Sequence, residues 1–132
     1  MKITIYSDGG ARGNPGPAGI GAVLYSEKGK VLASISEYLG VSTNNQAEYK
    51  ALISALEKAQ ELKAEEVECF LDSELVVKQL NREYKIKNKD LAPLFLKIHN
   101  LSFSFKKITY HHIPRELNRE ADRLANEAMD RG

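Results

Sequence analysis

Residues 2–26 read KITIYS, then DGGARGNPGPAG, then IGAVLYS. The outer runs alternate as strands do: Ile3 and Ile5 fall on one face, Thr4, Tyr6 and Asp8 on the other. Between them, five glycines and two prolines crowd into twelve residues directly behind an aspartate. A hairpin connection takes only about two to five residues. The expectation is therefore a long glycine-rich loop over residues 8–19, joining a strand that ends at Asp8 to one over residues 20–26.

Outward from that stretch, the pattern sets the rest of the fold. A third strand over residues 31–39 follows the turn signal Glu27-Lys28-Gly29-Lys30. Ser42-Thr43-Asn44-Asn45 is a cluster of helix-capping residues. The helix it opens runs to about Leu62, with Leu52, Ala55, Leu56, Ala59 and Leu62 as its apolar stripe. Residues 67–71 read as a fourth strand, and Ser73 caps a helix through Leu80. A polar connection over 81–88, a helix over 91–101, a fifth strand over 103–113 and a last helix over 116–129 complete the chain. Three hairpin-like strands followed by alternating helix and strand point to an α/β fold, a mixed sheet flanked by helices.

Composition bounds the function. At 132 residues and 42% hydrophobic, the chain fits a single domain spanning residues 1–132, with a sizeable core. No run approaches the ~18 apolar residues of a membrane span, and the first ten residues lack a signal-peptide pattern. The lone Cys69 excludes disulfides and cysteine zinc sites, so a cytoplasmic setting is expected. No apolar stripe is left unmatched, which suggests a monomer. GGARGNPG lacks the Lys-Ser/Thr that closes a phosphate-binding P-loop, and no small-molecule cofactor is implied. Net charge is only +1, so a nucleic-acid binder must sort its charges spatially.

Four acids sit where acids are costly. Asp8 and Asp72 each close a strand; if those strands are parallel neighbours, both carboxylates emerge at one carboxyl edge. Glu48 lies four residues before Leu52, in line with the apolar stripe. Asp122 stands among Leu117, Ala121, Leu124 and Ala125. Singly, each has a bland reading as a turn, cap or solvated helix residue. Together they would repel and resist desolvation, a conflict that a divalent cation removes, with oxygen ligands suited to Mg²⁺ or Mn²⁺.

The strings YSDGGARGNPGPAGIGAVL, STNNQAEYKALISAL, FLDSELVVKQL and HHIPRELNREADRLANEA resemble type-1 ribonuclease H, in order and across nearly the whole chain. The resemblance implies a five-stranded mixed sheet, antiparallel among its first three strands, and endonucleolytic cleavage of the RNA strand of RNA–DNA hybrids. Products would carry 5′-phosphate and 3′-hydroxyl ends. By motif match, Asp8, Glu48, Asp72 and Asp122 would hold two Mg²⁺ or Mn²⁺ ions with substrate bound. Asp8 would touch both, Glu48 and Asp72 one, and Asp122 the other.

Gly9, Gly10 and Asn14 of the glycine-rich segment, with Asn44, Asn45 and Gln46, would line the hybrid's minor groove. Glycines there would let backbone approach ribose 2′-hydroxyls. Thr43 matches the family's phosphate-holding threonine, and Asn88 its partner on the DNA strand. Arg115 and, second to it, His112 occupy the segment before the last helix where members carry an auxiliary group. Pro114 restricts Ile113 to extended geometry, which favours His112 belonging to the strand.

The chain departs from larger members by lacking a basic helical insertion. Only Lys78, Arg82, Lys85, Lys87 and Lys89 remain in that region, so binding should be weaker and more salt-sensitive. Double-stranded RNA stays open as a further substrate. The alternative reading is a catalytically weak module that binds hybrid or duplex RNA.

Overall fold

The computed structural model describes all 132 residues. Five strands form one sheet: β1 (Lys2–Ala11), β2 (Gly16–Tyr25), β3 (Val31–Ser42), β4 (Glu66–Leu71) and β5 (Lys107–His112). Their order is β3-β2-β1-β4-β5. The first three pair antiparallel, while β4 lies parallel to β1 and β5 parallel to β4. Helices α1 (Asn44–Glu61), α2 (Glu74–Leu80), α3 (Ala92–Ser102) and α4 (Arg119–Arg131) complete it, with a 3₁₀ turn at Arg115–Leu117. The expected mixed sheet, with its antiparallel first half and helical flanks, is present.

The core lies between the sheet and α1. Ile3, Ile5, Leu24 and Val67 meet Tyr49, Leu52 and Leu56 of α1, and Val76 of α2 and Ile98 of α3 close its end. The opposite face receives α4, whose buried side is Ala121, Leu124, Ala125, Ala128 and Met129. No helix is long and apolar enough to cross a membrane.

The glycine-rich segment is the main correction. β1 continues past Asp8 to Ala11 and β2 begins at Gly16, before Ile20; only residues 12–15 form the loop. The ladder runs on through Asp8↔Gly21, Gly9↔Ile20 and Gly10↔Gly19. Gly9, Gly19 and Gly21 are there because helices press on both faces of this ladder. A Cβ on Gly9 would stand 2.2 Å from the Ala47 carbonyl oxygen of α1, and one on Gly21 would stand 2.3 Å from that of Ala121 in α4. Sequence periodicity cannot register such contacts, because they come from distant segments.

Other boundaries shift for local reasons. β3 extends to Ser42, directly before the cap of α1. β5 starts at Lys107, since residues 103–106 turn; Phe103 is 76% exposed and so was never a strand-core position. The last helix starts at Arg119 instead of Glu116. Leu117, expected on its apolar stripe, lies in the 3₁₀ turn and is 65% exposed.

Candidate active site

β1 and β4 run parallel with Ser7 opposite Leu71, so the next residue of each, Asp8 and Asp72, comes to the same edge. There the strands part. β4 stops because the Ser73 hydroxyl accepts from the Val76 amide and starts α2, whereas β1 runs on. Glu48 arrives from α1, whose backbone lies against Gly9. A capping box fixes where that helix begins. Thr43 Oγ1 accepts from the Gln46 amide at 3.1 Å, and Gln46 Oε1 accepts from the Thr43 amide at 2.9 Å and from the Ser42 hydroxyl at 3.0 Å.

Asp8, Glu48 and Asp72 each bring a carboxylate oxygen to one place, all within 4.8 Å of one another. Asp8 and Glu48 are buried, and Glu48 Oε2 has no hydrogen-bond partner. Burial, then the charge of Asp72, pushes Asp8 up to about 7. Burial first, then Asp8 and Asp72, holds Glu48 well above the usual carboxylate range. Asp72 is raised as well, mainly by burial, with the Asn118 amide opposing. Like charges crowded into a dry edge resist ionising unless a cation joins them.

Asp122 stands outside this trio, though its charge is among the causes that raise Asp8. Two donors meet one of its oxygens: Arg115 Nη2 donates to Oδ1 at 3.2 Å and Asn126 Nδ2 at 3.3 Å. Arg115 projects from the 3₁₀ turn with a side chain 73% exposed. His112 ends β5 opposite Leu71 and is exposed, a strand residue as its proline context suggests.

A cleft of about 460 Å³ contains all four acids together with Gly9, Gly10, Asn44, Asn45 and Arg115. Asn14 reaches its wall indirectly. Asn14 Oδ1 accepts from the Asn44 amide at 3.1 Å, and Asn44 Oδ1 accepts from the Ala11 amide at 2.8 Å. This asparagine clamp ties the β1–β2 loop to the start of α1. Thr43 and Gln46 serve the cap behind it and do not line the cleft. Asn88 lies apart, in the loop before α3, where its Oδ1 accepts from the Asp90 amide.

Sequence reasoning passed over three residues here. Arg12 lines the cleft and pairs with Asp130; Asn126 lines it beside Asp122. Asn118, buried to 1% exposure, bonds Asp72 and the Ser7 carbonyl. Only the N-x-x-x-D spacing pointed to it. Cys69 is buried, and burial pushes its thiol far up, so it is no nucleophile.

A family model described as reverse transcriptase-like matches residues 6–128. A bifunctional protein of Mycobacterium tuberculosis is 47% identical over 131 residues, 98% of this chain but 36% of its own length. The chain thus spans about a third of that relative. Ribonuclease H of Chlorobium phaeobacteroides is 34% identical over 144 residues, covering 97% of this chain and 95% of its own. Among solved structures, RNase H1 of Halobacterium salinarum superposes with a TM-score of 0.97 at 42% identity, over 100% of both chains. LC11-RNase H1 in complex with an RNA/DNA hybrid gives 0.93 at 49% identity, over 98% of this chain and 97% of that one.

Proposed function

The chain belongs to the ribonuclease H family, and from that premise we propose that it is a metal-dependent endoribonuclease hydrolysing the RNA strand of RNA–DNA hybrids. The products carry 5′-phosphate and 3′-hydroxyl ends, and two Mg²⁺ or Mn²⁺ ions take part with substrate bound. One observation carries the reading: three carboxylates, two of them buried, offer oxygens within 4.8 Å of one another. Such an edge is unfavourable by itself.

The donor set fits a hard divalent cation. It consists of carboxylate oxygens, with no cysteine or histidine in the trio, and Glu48 Oε2 is unpartnered. Asp8, Glu48 and Asp72 would hold one ion, and Asp122 with Asp8 a second. Bound there, the ions supply Lewis acidity, neutralising charge on the scissile phosphate and acidifying the attacking water.

The chain's own residues bind and orient the substrate. Arg115 is permanently charged, largely exposed and tethered only by Asp122, so it can reach a phosphate oxygen. Asn44 and Asn45 present amides along the cleft, able to donate to and accept from 2′-hydroxyls and base edges. Thr43 accepts in its cap but keeps its hydroxyl proton to donate, which suits a phosphate; Asn88 would serve the other strand. The reading is also supported by the hybrid bound to LC11-RNase H1, a structure 49% identical to this chain.

The test is cleavage of four end-labelled duplexes: RNA–DNA, RNA–RNA, DNA–DNA, and DNA with one ribonucleotide. Each is run with Mg²⁺, with Mn²⁺ and with chelator. Internal cuts confined to the hybrid's RNA strand and lost in chelator are expected. Comparable cutting of RNA–RNA widens the substrate class. Hybrid binding with no cleavage under either metal would overturn the enzyme reading in favour of a binding module.

A further inference from the structure

Asn118 opens α4, yet its side chain does not cap that helix. Asparagine at this position ordinarily turns its carbonyl oxygen back to accept from the first free amides of its own helix. Here the amide points the other way. Nδ2 donates to the Ser7 carbonyl at 2.9 Å and to Asp72 Oδ2 at 3.3 Å, partners 111 and 46 residues away in sequence. Meanwhile its backbone carbonyl accepts from the Asp122 amide at 3.0 Å, forming the first turn that presents Asp122.

One buried residue therefore touches three of the acids' supports: the peptide preceding Asp8, the carboxylate of Asp72 and the helical turn under Asp122. The residue type is informative. Aspartate or serine would cap α4 as well or better, but aspartate would set a further carboxylate against Asp72. Leaving Oδ1 buried without a partner is a cost that capping would have avoided. The donor of the amide, rather than its capping ability, is what the position uses.

We propose that Asn118 is a positioning residue, which fixes the Asp72 carboxylate in its metal-ready orientation while locking α4 to the β1–β4 edge. The proposal rests on the metal-dependent reading above and adds to it a residue that touches neither metal nor substrate. Residues that orient metal ligands through hydrogen bonds commonly change affinity or activity by about 10- to 100-fold when removed.

A double-mutant cycle in Mn²⁺ affinity, read by electron paramagnetic resonance of free Mn²⁺, separates orientation of Asp72 from simple anchoring of the helix. In the otherwise unchanged protein, Asn118→Ala should weaken Mn²⁺ binding about 10-fold. In the Asp72→Ala background, where the acceptor is gone but the Ser7 carbonyl remains, the same change should alter Mn²⁺ affinity by less than about 2-fold. Melting temperature should fall in both backgrounds, since the Ser7 bond is lost in both. Hybrid cleavage by Asn118→Ala should show a lowered kcat with KM nearly unchanged. Asn118→Ser, a good helix-starting residue, replaces Asn118→Ala in the cycle if the latter does not fold.

Equal weakening in the two backgrounds, or unchanged Mn²⁺ affinity in Asn118→Ala, overturns the positioning role while leaving the functional reading intact. An unsubstituted protein that neither binds Mn²⁺ nor cuts the hybrid overturns both.

Discussion

Two groups of acids face the same cleft in opposite conditions. Asp8, Glu48 and Asp72 are pressed together at a mostly dry sheet edge, with Glu48 Oε2 lacking any partner and all three carboxyls raised above their usual range. Asp122, on α4, is met by an arginine and an asparagine and sits partly in solvent. The trio is incomplete as protein chemistry; Asp122 has two donors on Oδ1. The difference teaches where a cation is required by the fold and where it must compete. At the trio, a cation relieves repulsion built into the backbone geometry. At Asp122, a cation would share the carboxylate with Arg115 and Asn126, both of which bond Oδ1.

The comparison breaks most directly at Asp72. Asp72→Asn keeps the shape, still meets Asn118 and removes a ligand charge. Hybrid cleavage should fall by roughly three orders of magnitude, the scale of several kcal/mol lost from metal-assisted chemistry. Circular dichroism should show an unchanged fold; near-normal cleavage would mean that the trio does not hold the catalytic cation.

Arg115→Ala tests the other side. Cleavage should fall about 10-fold and the salt dependence of hybrid binding should become shallower by one phosphate contact. Stability should stay within about 1 kcal/mol, because the Arg115–Asp122 pair is exposed. A large loss of stability with unchanged salt dependence would make Arg115 a structural brace.

Metal-free stability should respond to pH through the trio. Asp8 titrates near 7 in the folded chain against an ordinary 3.8. The unfolded chain therefore releases this proton first. Its penalty is absent below about pH 4, grows as pH rises towards 7, and is then constant. Glu48 and Asp72 are raised in the same sense. Chemical denaturation without metal should show falling stability across pH 4–7, flatter in Asp8→Asn, and Mg²⁺ should restore stability at the upper end. A profile identical in the variant would show that Asp8 is not the group responsible.

The smallest effect is expected for Glu48→Gln in chelator. Replacing a buried, half-satisfied carboxyl by an amide should raise metal-free stability at pH 8 by about 1 kcal/mol. Destabilisation would show that Glu48 is already accommodated without a cation.

The site was legible in sequence where a residue's role follows from its own element. Asp8 and Asp72 stand beside apolar strand runs, and Glu48 falls on a helix's buried stripe; period and polarity conflict there, so the conflict itself marked them. Thr43 could be read as a helix cap from local chemistry, whereas Gln46, expected along the groove, completes the capping box. The order of strands and helices likewise follows from short-range pattern.

What only the tertiary structure decided came from segments far apart along the chain. Gly9, Gly10, Gly16 and Gly19 read as loop but lie in paired strand, on a ladder that α1 and α4 press from opposite faces, leaving no room for a Cβ at Gly9 or Gly19. Asn118 was passed over in the sequence, because the partners of its amide, Ser7 and Asp72, lie far off along the chain. Asp122 read as a ligand apart from Glu48 and Asp72, and its pairing with Arg115 of the 3₁₀ turn appears only in the fold. A sequence exposes how each residue suits its own helix or strand. Which groups are left without partners, and so what the protein can bind, is fixed only when the sheet brings remote elements into contact.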